Sequence, residues 1–360
     1  MNINSDTFRF TPANVRIVGA GLIGTSIGLA LVQKGVYVEM VDLDLKSQSL
    51  ATDLVGGGMN GEPSLVILAL PSSNLDDVLQ REFHLNPNST FMDVGSVKTE
   101  VVLKVSKIPA LAAQFVPTHP MAGREVGGAA SARADLFLGR SWVITPMPTT
   151  DAKALATVED LIALLGASAV TMSAQDHDAA VAKISHLPQI ISSLLAGQLS
   201  GTKTDWMELA GQGLRDTTRI AGSDEKLWKE IIHSNRQILS GLLKNLNEDV
   251  IRMIESLDDP SEIEKILAKG RSGRELIPGK HGGKAREYSY LPIVIDDKPG
   301  QLAAIFNQCS LLDVNVEDLT IEHSPGQLSA LITLALSAHD AQKLSDHLAS
   351  IGWNVHPIRN

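Results

Sequence analysis

The sequence predicts an α/β chain in three parts: a doubly wound parallel sheet, an all-helical segment and a small closing βαββαβ unit. Three observations carry this. Short β-branched runs alternate with helical stretches up to about Met172, the pattern turns wholly helical from Ser173 to Leu257, and strand signals return after Glu287. The expected divisions are 13–172, 173–269, a linker over 270–287, and 288–360.

The first strand, Val15-Arg16-Ile17-Val18, stops at Gly19-Ala20-Gly21-Leu22-Ile23-Gly24 and continues into the apolar stretch Ile27 to Val32. This is strand, tight turn, helix. Gly19 allows the turn, Gly21 lets the backbone approach a pyrophosphate, and Gly24 lets helix pack on strand; Leu22 and Ile23 then open a helix whose N-terminus attracts phosphate. A second strand, Tyr37 to Val41, ends at Asp42, where a carboxylate holds both ribose hydroxyls of a dinucleotide. An acid here repels a 2′-phosphate and no arginine follows closely, so NAD is favoured over NADP, with Lys46 tempering the preference. The third strand, Leu65 to Leu70, runs into Pro71-Ser72-Ser73, and the fourth, Thr90 to Val94, into Gly95-Ser96-Val97-Lys98. Leu70, Pro71, Gly95 and Ser96 join the cofactor candidates, because a Rossmann-like sheet binds ligands beyond its carboxyl strand ends. Phe115 to Thr118 and Trp142 to Thr145 read as late strands.

The stretch His119-Pro120-Met121-Ala122-Gly123 sets a titratable imidazole about a hundred residues beyond the glycine turn, in reach of the same crevice. An imidazole can take a hydroxyl proton while a bound dinucleotide takes hydride from the same carbon. That is dehydrogenase chemistry with no metal. The single cysteine, Cys309, excludes an internal disulfide and a thiolate zinc cluster. A formal charge of -10 argues against nucleic acid as a partner, and an anionic substrate would need a local cluster of cations. Residues 1–12 lack a signal-like pattern and no later run reads as a bilayer span, so a cytoplasmic chain without membrane association is expected.

In the helical part, Asp176-His177-Asp178 opens a helix with an expected apolar face of Val181, Ile184, Leu187, Ile191 and Leu194. Ser223 is the expected N-cap of a later helix, with Asp224 and Glu225 in its first turn. Leu239, Leu243, Leu246, Val250, Met253 and Leu257 recur as a heptad seam. Such a seam needs a partner helix, within one subunit or across a homodimer. The glycine-rich, cationic stretch from Gly270 to Glu287 (Arg271, Arg274, Lys280, His281, Lys284, Arg286) reads as a solvated connector. Beyond it come a strand from Leu291 to Ile295, a helix from Gln301 to Leu312 and a strand from Val314 to Glu322. A turn at Pro325-Gly326, a strand from Leu328 to Ala335, a helix from Ala341 to Ile351 and a strand from Trp353 to Ile358 complete a ferredoxin-like order.

With these parts in place the chain resembles the prephenate or arogenate dehydrogenases of the TyrA family carrying a C-terminal ACT domain. The resemblance rests on Gly19 to Gly24, Gly95 to Lys98, His119 to Gly123, His177-Asp178, Ser185-His186-Leu187-Pro188, Arg215 to Ala221 and Asp297 to Leu302, in that order and spacing. It implies oxidation at C4 of a cyclohexadiene ring with loss of the ring carboxylate as carbon dioxide. The products are 4-hydroxyphenylpyruvate from prephenate, or tyrosine from arogenate. It implies His119 as the proton acceptor, Ser96 as the residue that orients its ring, and Arg219 as the grip on the side-chain carboxylate. Arg215 assists or pairs with Asp216; His186 faces the substrate pocket, Gln189 falls near it, and Glu125 gates it by pairing with a cation; His177 and Asp178 orient other side chains. Asp297, Pro299, Gly300, Gln301 and Leu302 form an ACT effector junction, with tyrosine the expected inhibitor.

Two departures from the family pattern bear on the site. The stretch between Asp42 and Leu65 is short and ends in Gly56-Gly57-Gly58-Met59-Asn60-Gly61, and Arg124 and Gln189 stand where many relatives carry a small hydroxyl residue and a histidine. The choice between prephenate and arogenate stays open. A silent amino-acid sensor is opposed by intact His119, Ser96 and Arg219, and a β-hydroxyacid dehydrogenase by the histidine motif and the closing domain.

Overall fold

The computed structural model describes residues 13–124, 126–277, 288–323 and 329–359. They fall into two units, one ending at Glu248 and the other beginning at Asp249. The first unit is built on strands β1 (Asn14–Val18), β2 (Tyr37–Val41), β3 (Leu65–Leu68), β4 (Thr90–Asp93), β5 (Phe115–Pro120), β6 (Ser141–Ile144) and β7 (Ser168–Thr171). Helices α1 (Leu22–Val32), α2 (Leu45–Val55), α3 (Leu75–Leu85), α4 (Thr99–Val105), α5 (Pro109–Gln114) and α6 (Ala152–Leu164) are interleaved. The seven strands lie in the order β2-β1-β3-β4-β5-β6-β7. β1 to β5 run parallel; β6 turns antiparallel to β5, and β7, which the sequence reading lacked, runs parallel to β6.

The central strands are apolar on both faces, as burial between two helical layers requires. Val15, Ile17 and all of Leu65 to Leu68 are buried completely. The chain passes from β2 on one side of β1 to β3 on the other, so the crevice of the sheet opens beyond β1 and β3. That places the glycine turn and Leu70-Pro71 side by side. With only α2 and the glycine run between Asp42 and β3, β2 is left as the edge strand. Gly57 closes against it: a Cβ there would sit 2.9 Å from the Val38 carbonyl oxygen.

A continuous helix follows over Ala174–Gly197, made of α7 (Ala174–Val181), a π turn (Ala182–His186) and α8 (Leu187–Gly197). Contrary to expectation, it is long and apolar enough to cross a bilayer by length and composition. Its buried side, however, carries His177, Asp178, His186, Gln189 and Ser192, groups that lipid disfavours. The π turn has a local cause. Pro188 has no N–H to return to the carbonyl one turn back, and the wider turn absorbs the mismatch. The extra residue also shifts the face: Val181 is buried, but Ile184 and Leu194 are 66% and 58% exposed. The expected apolar face is therefore split: Val181 packs inward, Leu187 and Ile191 are half-buried, and Ile184 and Leu194 form an outward stripe, while the inward side also carries polar groups.

α9 (Thr204–Met207), α10 (Gln212–Thr218), α11 (Glu225–Ser234) and α12 (Arg236–Glu255) complete the helical part. The N-cap of α11 is Asp224, one residue later than expected; its carboxylate accepts the Lys226 N–H at 2.8 Å, while the Ser223 hydroxyl donates to the Ile220 carbonyl. Of the heptad seam only Leu239 is buried; Val250 on α12 and Leu257 just beyond its end are exposed.

In the second unit α13 (Pro260–Glu275) starts under an Asp259 cap and continues through Gly270, so the first residues of the expected linker, Arg271 and Arg274 included, are helical. Lys280, His281, Lys284 and Arg286 lie outside the described residues. Then come β8 (Ser289–Asp296), α14 (Gln301–Leu311), β9 (Asp318–His323), β10 (Ser329–Leu336), α15 (Ala338–Ser350) and β11 (Asn354–Val355), in an antiparallel sheet ordered β11-β8-β10-β9. Leu291, Ile293, Ile332, Leu334, Leu344 and Leu348 fill its core. The expected turn at Pro325-Gly326 lies outside the described residues.

Candidate active site

The glycine turn has two closed positions and one open. Gly19 takes φ +117°, and a Cβ on it would lie 2.1 Å from the Ala69 carbonyl oxygen at the end of β3. A Cβ on Gly24 would lie 2.0 Å from the Gly19 carbonyl oxygen. A Cβ on Gly21, the N-cap of α1, would meet nothing within 4 Å. The backbone N–H groups of Leu22 and Ile23 open α1 beside this position, as a phosphate site at a helix N-terminus requires. Asp42 closes the other end of this cradle, its carboxylate accepting the Ala20 N–H at 2.6 Å and the Asp44 N–H at 2.9 Å. The residues fit a dinucleotide. Half-buried Leu70, exposed Pro71 and half-buried Gly95 and Ser96 follow β3 and β4 at the same sheet edge.

His119 lies near the end of β5, held from below by an unusually polar core. Thr118 donates its hydroxyl to the Asp93 carbonyl at 2.7 Å and accepts the indole N–H of fully buried Trp142 at 2.8 Å. The Lys98 ammonium, also fully buried, pairs with Asp93 and donates to the Thr118 carbonyl at 2.7 Å. The sequence motif offered no role for Lys98, and its polar neighbours Ser96, Thr99 and Glu100 gave no sign that it is buried.

The ring of His119 is oriented by another imidazole. His119 Nδ1 is 2.9 Å from His177 Nε2, and His177 Nδ1 is 2.8 Å from an Asp178 carboxylate oxygen. Asp178 in turn accepts the backbone N–H groups of Lys98 and Thr99, each at 2.8 Å. No hydrogen bond joins Ser96 to His119 among the described residues; the side chain that meets the His119 ring there is His177. Burial pushes the Asp178 carboxyl up, but the bonds from His177, Thr99 and Lys98 outweigh it and hold it below its ordinary value. A carboxylate only accepts, so His177 donates from Nδ1. With both rings neutral, His177 Nε2 then accepts from His119 Nδ1–H, and His119 Nε2 keeps its lone pair. Burial, then the charge of Lys98 and the two other histidines, hold His119 well below its ordinary value against the pull of Asp178. It is a base ready near neutral pH.

The second histidine system lies close by. His186, buried at the end of the π turn, has Nδ1 at 3.2 Å from the Asn235 side-chain nitrogen and faces Trp228 edge-on at 6.0 Å. Gln189 does not reach outward; its side-chain N–H donates to the Ile220 carbonyl at 2.9 Å, pinning the 3-10 turn Arg219–Gly222 to α8. Arg219 is exposed at the start of that turn. Arg215 is exposed and donates to the Ala210 carbonyl at 3.5 Å, while Asp216 accepts from Gln212 instead of Arg215. Glu125 lies outside the described residues. Asn235 and Trp228 were missed by sequence reasoning, and neither belongs to a motif that announces a site.

A glycine cradle beside a carboxylate, and a base-ready imidazole on the same sheet, define a nucleotide-dependent dehydrogenase. Comparison with known proteins narrows the class. Residues 27–171 match the family profile for the nucleotide-binding domain of prephenate dehydrogenase, and residues 173–268 the profile for its dimerization domain. A relative in Streptomyces niveus, named probable prephenate dehydrogenase NovF, is 28% identical over 94% of this chain and 98% of its own. The structure of Aquifex aeolicus prephenate dehydrogenase with hydroxyphenyl propionate and NAD+ is 25% identical, covers 75% of this chain and all of its own, and superposes with a TM-score of 0.66. That of Synechocystis arogenate dehydrogenase is 27% identical, covers 72% of this chain and 98% of its own, with a TM-score of 0.60. The chain belongs to the prephenate dehydrogenase family.

Proposed function

We propose that this protein carries out NAD-dependent oxidative decarboxylation of prephenate to 4-hydroxyphenylpyruvate, with His119 as the base. The observation that carries the reading is the hydrogen-bonded line His119–His177–Asp178, which leaves one imidazole nitrogen of His119 unpartnered among the described residues. The glycine turn and Asp42 hold NAD, which when bound supplies the hydride acceptor for C4. As C4 loses hydride, its hydroxyl proton passes to His119 Nε2, and the imidazolium is stabilised through His177 by the Asp178 charge. The bond from C1 to the ring carboxylate then breaks, carbon dioxide leaves, and its electron pair makes the ring aromatic. His119 returns the proton to the oxygen that was the C4 hydroxyl. Arg219 grips the side-chain carboxylate, supported through Gln189 and Ile220, and Ser96 lines the cofactor side.

Arogenate is the alternative substrate, supported by the likeness to the Synechocystis enzyme. The second unit is read as a ferredoxin-like ACT domain from its βαββαβ order, with tyrosine bound where β8 meets α14. Gly300 at φ +92° caps that helix, and Asp297, Pro299, Gln301 and Leu302 flank it. The dimerization profile and the outward stripe of Ile184 and Leu194 support a homodimer, and the chain is read as a soluble cytoplasmic enzyme. Recording NADH formation from prephenate and from arogenate tests the reaction; turnover of neither sinks it. Tyrosine inhibition that survives removal of residues 288–360 sinks the regulatory reading.

A further inference from the structure

We propose that Asn235 is a positioning residue that locks His186 into a single tautomer, unprotonated at Nδ1 and protonated at Nε2, making it a fixed hydrogen-bond donor to the substrate. The donor role rests on the reaction proposed above; the tautomer does not.

The inference begins with a carbonyl. Asn235 is the C-cap of α11 and 4% exposed, and its side-chain nitrogen lies 2.9 Å from the backbone carbonyl oxygen of Asp178. A carbonyl oxygen can only accept, so the amide must turn its NH₂ toward it, which fixes an orientation that heavy atoms alone leave ambiguous. The same NH₂ stands 3.2 Å from His186 Nδ1. An amide nitrogen offers no lone pair, so His186 Nδ1 must be the acceptor and cannot carry a proton. The remaining proton of the neutral ring sits on Nε2. A charged imidazolium would point a second N–H at the amide donor, and geometry forbids it.

A second observation points to a ligand. His186 is 2% exposed, yet its Nε2 has no hydrogen-bond partner among the described residues. That nitrogen is not one of the buried unsatisfied polar atoms of the described residues, so within a nearly buried ring it is the atom that reaches the surface, where a ligand can meet it. The charged and titratable groups that bear on His186 are Asp178 and His177 from α7, with His119 of β5 acting through the same field. Burial dominates, His177 adds to it, Asp178 opposes it, and the ring is held down at about 4. Asn235 thus ties two imidazoles of opposite duty to one backbone: the Asp178 residue whose carboxylate sets His119 as an acceptor is also the one whose carbonyl sets His186 as a donor.

The test is nitrogen NMR of the full-length protein labelled at histidine, with His186→Gln to assign the signals. The native ring should show a protonated Nε2 and a bare Nδ1, unchanged between pH 5.5 and 8. Asn235→Asp replaces the donor by a carboxylate, draws a proton to Nδ1 and should raise the titration midpoint by roughly 1–3 pH units. Asn235→Ala should mix the two tautomers and raise KM for prephenate about tenfold, the loss of one hydrogen bond to a charged group, with NAD affinity unchanged. Circular dichroism establishes that each variant is folded. A native His186 protonated at Nδ1 overturns the proposal, as does a native KM in variants whose tautomer has changed. A native enzyme that turns over neither prephenate nor arogenate refutes the reaction instead, and there the nitrogen shifts alone decide the tautomer.

Discussion

Replacing Asp178 by asparagine probes the core of the mechanism while changing a single atom type. One carboxylate oxygen accepts from Lys98 N–H and His177 Nδ1–H, the other from Thr99 N–H, all at 2.8 Å. An amide offers only one accepting oxygen. If it stays with Lys98 and His177, the new NH₂ opposes the Thr99 N–H, costing about 1–3 kcal/mol of stability for a buried donor left unsatisfied. If it turns to Thr99, the NH₂ donates to His177, His177 then donates from Nε2, and the His119 proton is driven onto the nitrogen that should face substrate. Either way the charge that stabilises the His119 imidazolium is gone. A base held in the wrong tautomer, or without its carboxylate, loses about 10²–10⁴ in turnover. The assay is kcat for NADH formation, with NAD affinity measured by fluorescence titration and folding by thermal melt. A folded Asp178→Asn enzyme with kcat within threefold of native and an unchanged pH profile would refute the relay.

Three further expectations concern the rest of the site. Arg219→Ala should raise KM for prephenate by about tenfold or more while sparing kcat, the value of an ionic hydrogen bond at an exposed position; an unaltered KM places the anion elsewhere. Asp42→Asn should weaken NAD binding by roughly tenfold and narrow the gap to NADP, since it removes the charge that repels a 2′-phosphate; calorimetric titration with both dinucleotides reads this directly. Stability should fall with acid. The folded value of His186, about 4, lies below its ordinary 6.5, so the unfolded chain takes up the proton first; the contribution is present in full above about 6.5 and falls away toward pH 4, at a cost of about 3 kcal/mol. The depressed His119 acts in the same direction. Denaturant midpoints unchanged between pH 7 and 4.5 would contradict the burial of these rings.

The parts of this site that could be read from sequence are those set by local backbone demands. Gly19 and Gly24 announce themselves because neither has room for a Cβ beside the end of a strand, Gly21 belongs to the same short motif, and Asp42 follows from strand length. What sequence hid depends on contacts across the fold. His119 and His177 are 58 positions apart and meet only because β5 and α7 converge. Asn235 looks like an ordinary helix end until the Asp178 carbonyl is placed beside it. The periodicity of the long helix placed Val181 inward correctly but failed at Ile184 and Leu194, because periodicity assumes an unbroken phase and the turn at Ala182–His186 breaks it. Spacing placed Ser96 near His119 but could not show that the His119 ring meets His177.

That turn has a consequence for how the molecule tolerates change. In an ordinary helix each residue advances the side chains by about 100°, so the oily ridge of Ile184 and Leu194 and the inward bearing of His186 would be locked to one another. The inserted residue lets them be set separately. Pro188→Ala would restore the missing amide hydrogen and invite the rod to rewind, swinging everything beyond it around the axis. The oily ridge and the His186 side would then slip out of alignment, although none of Ile184, Leu194 and His186 had itself been altered.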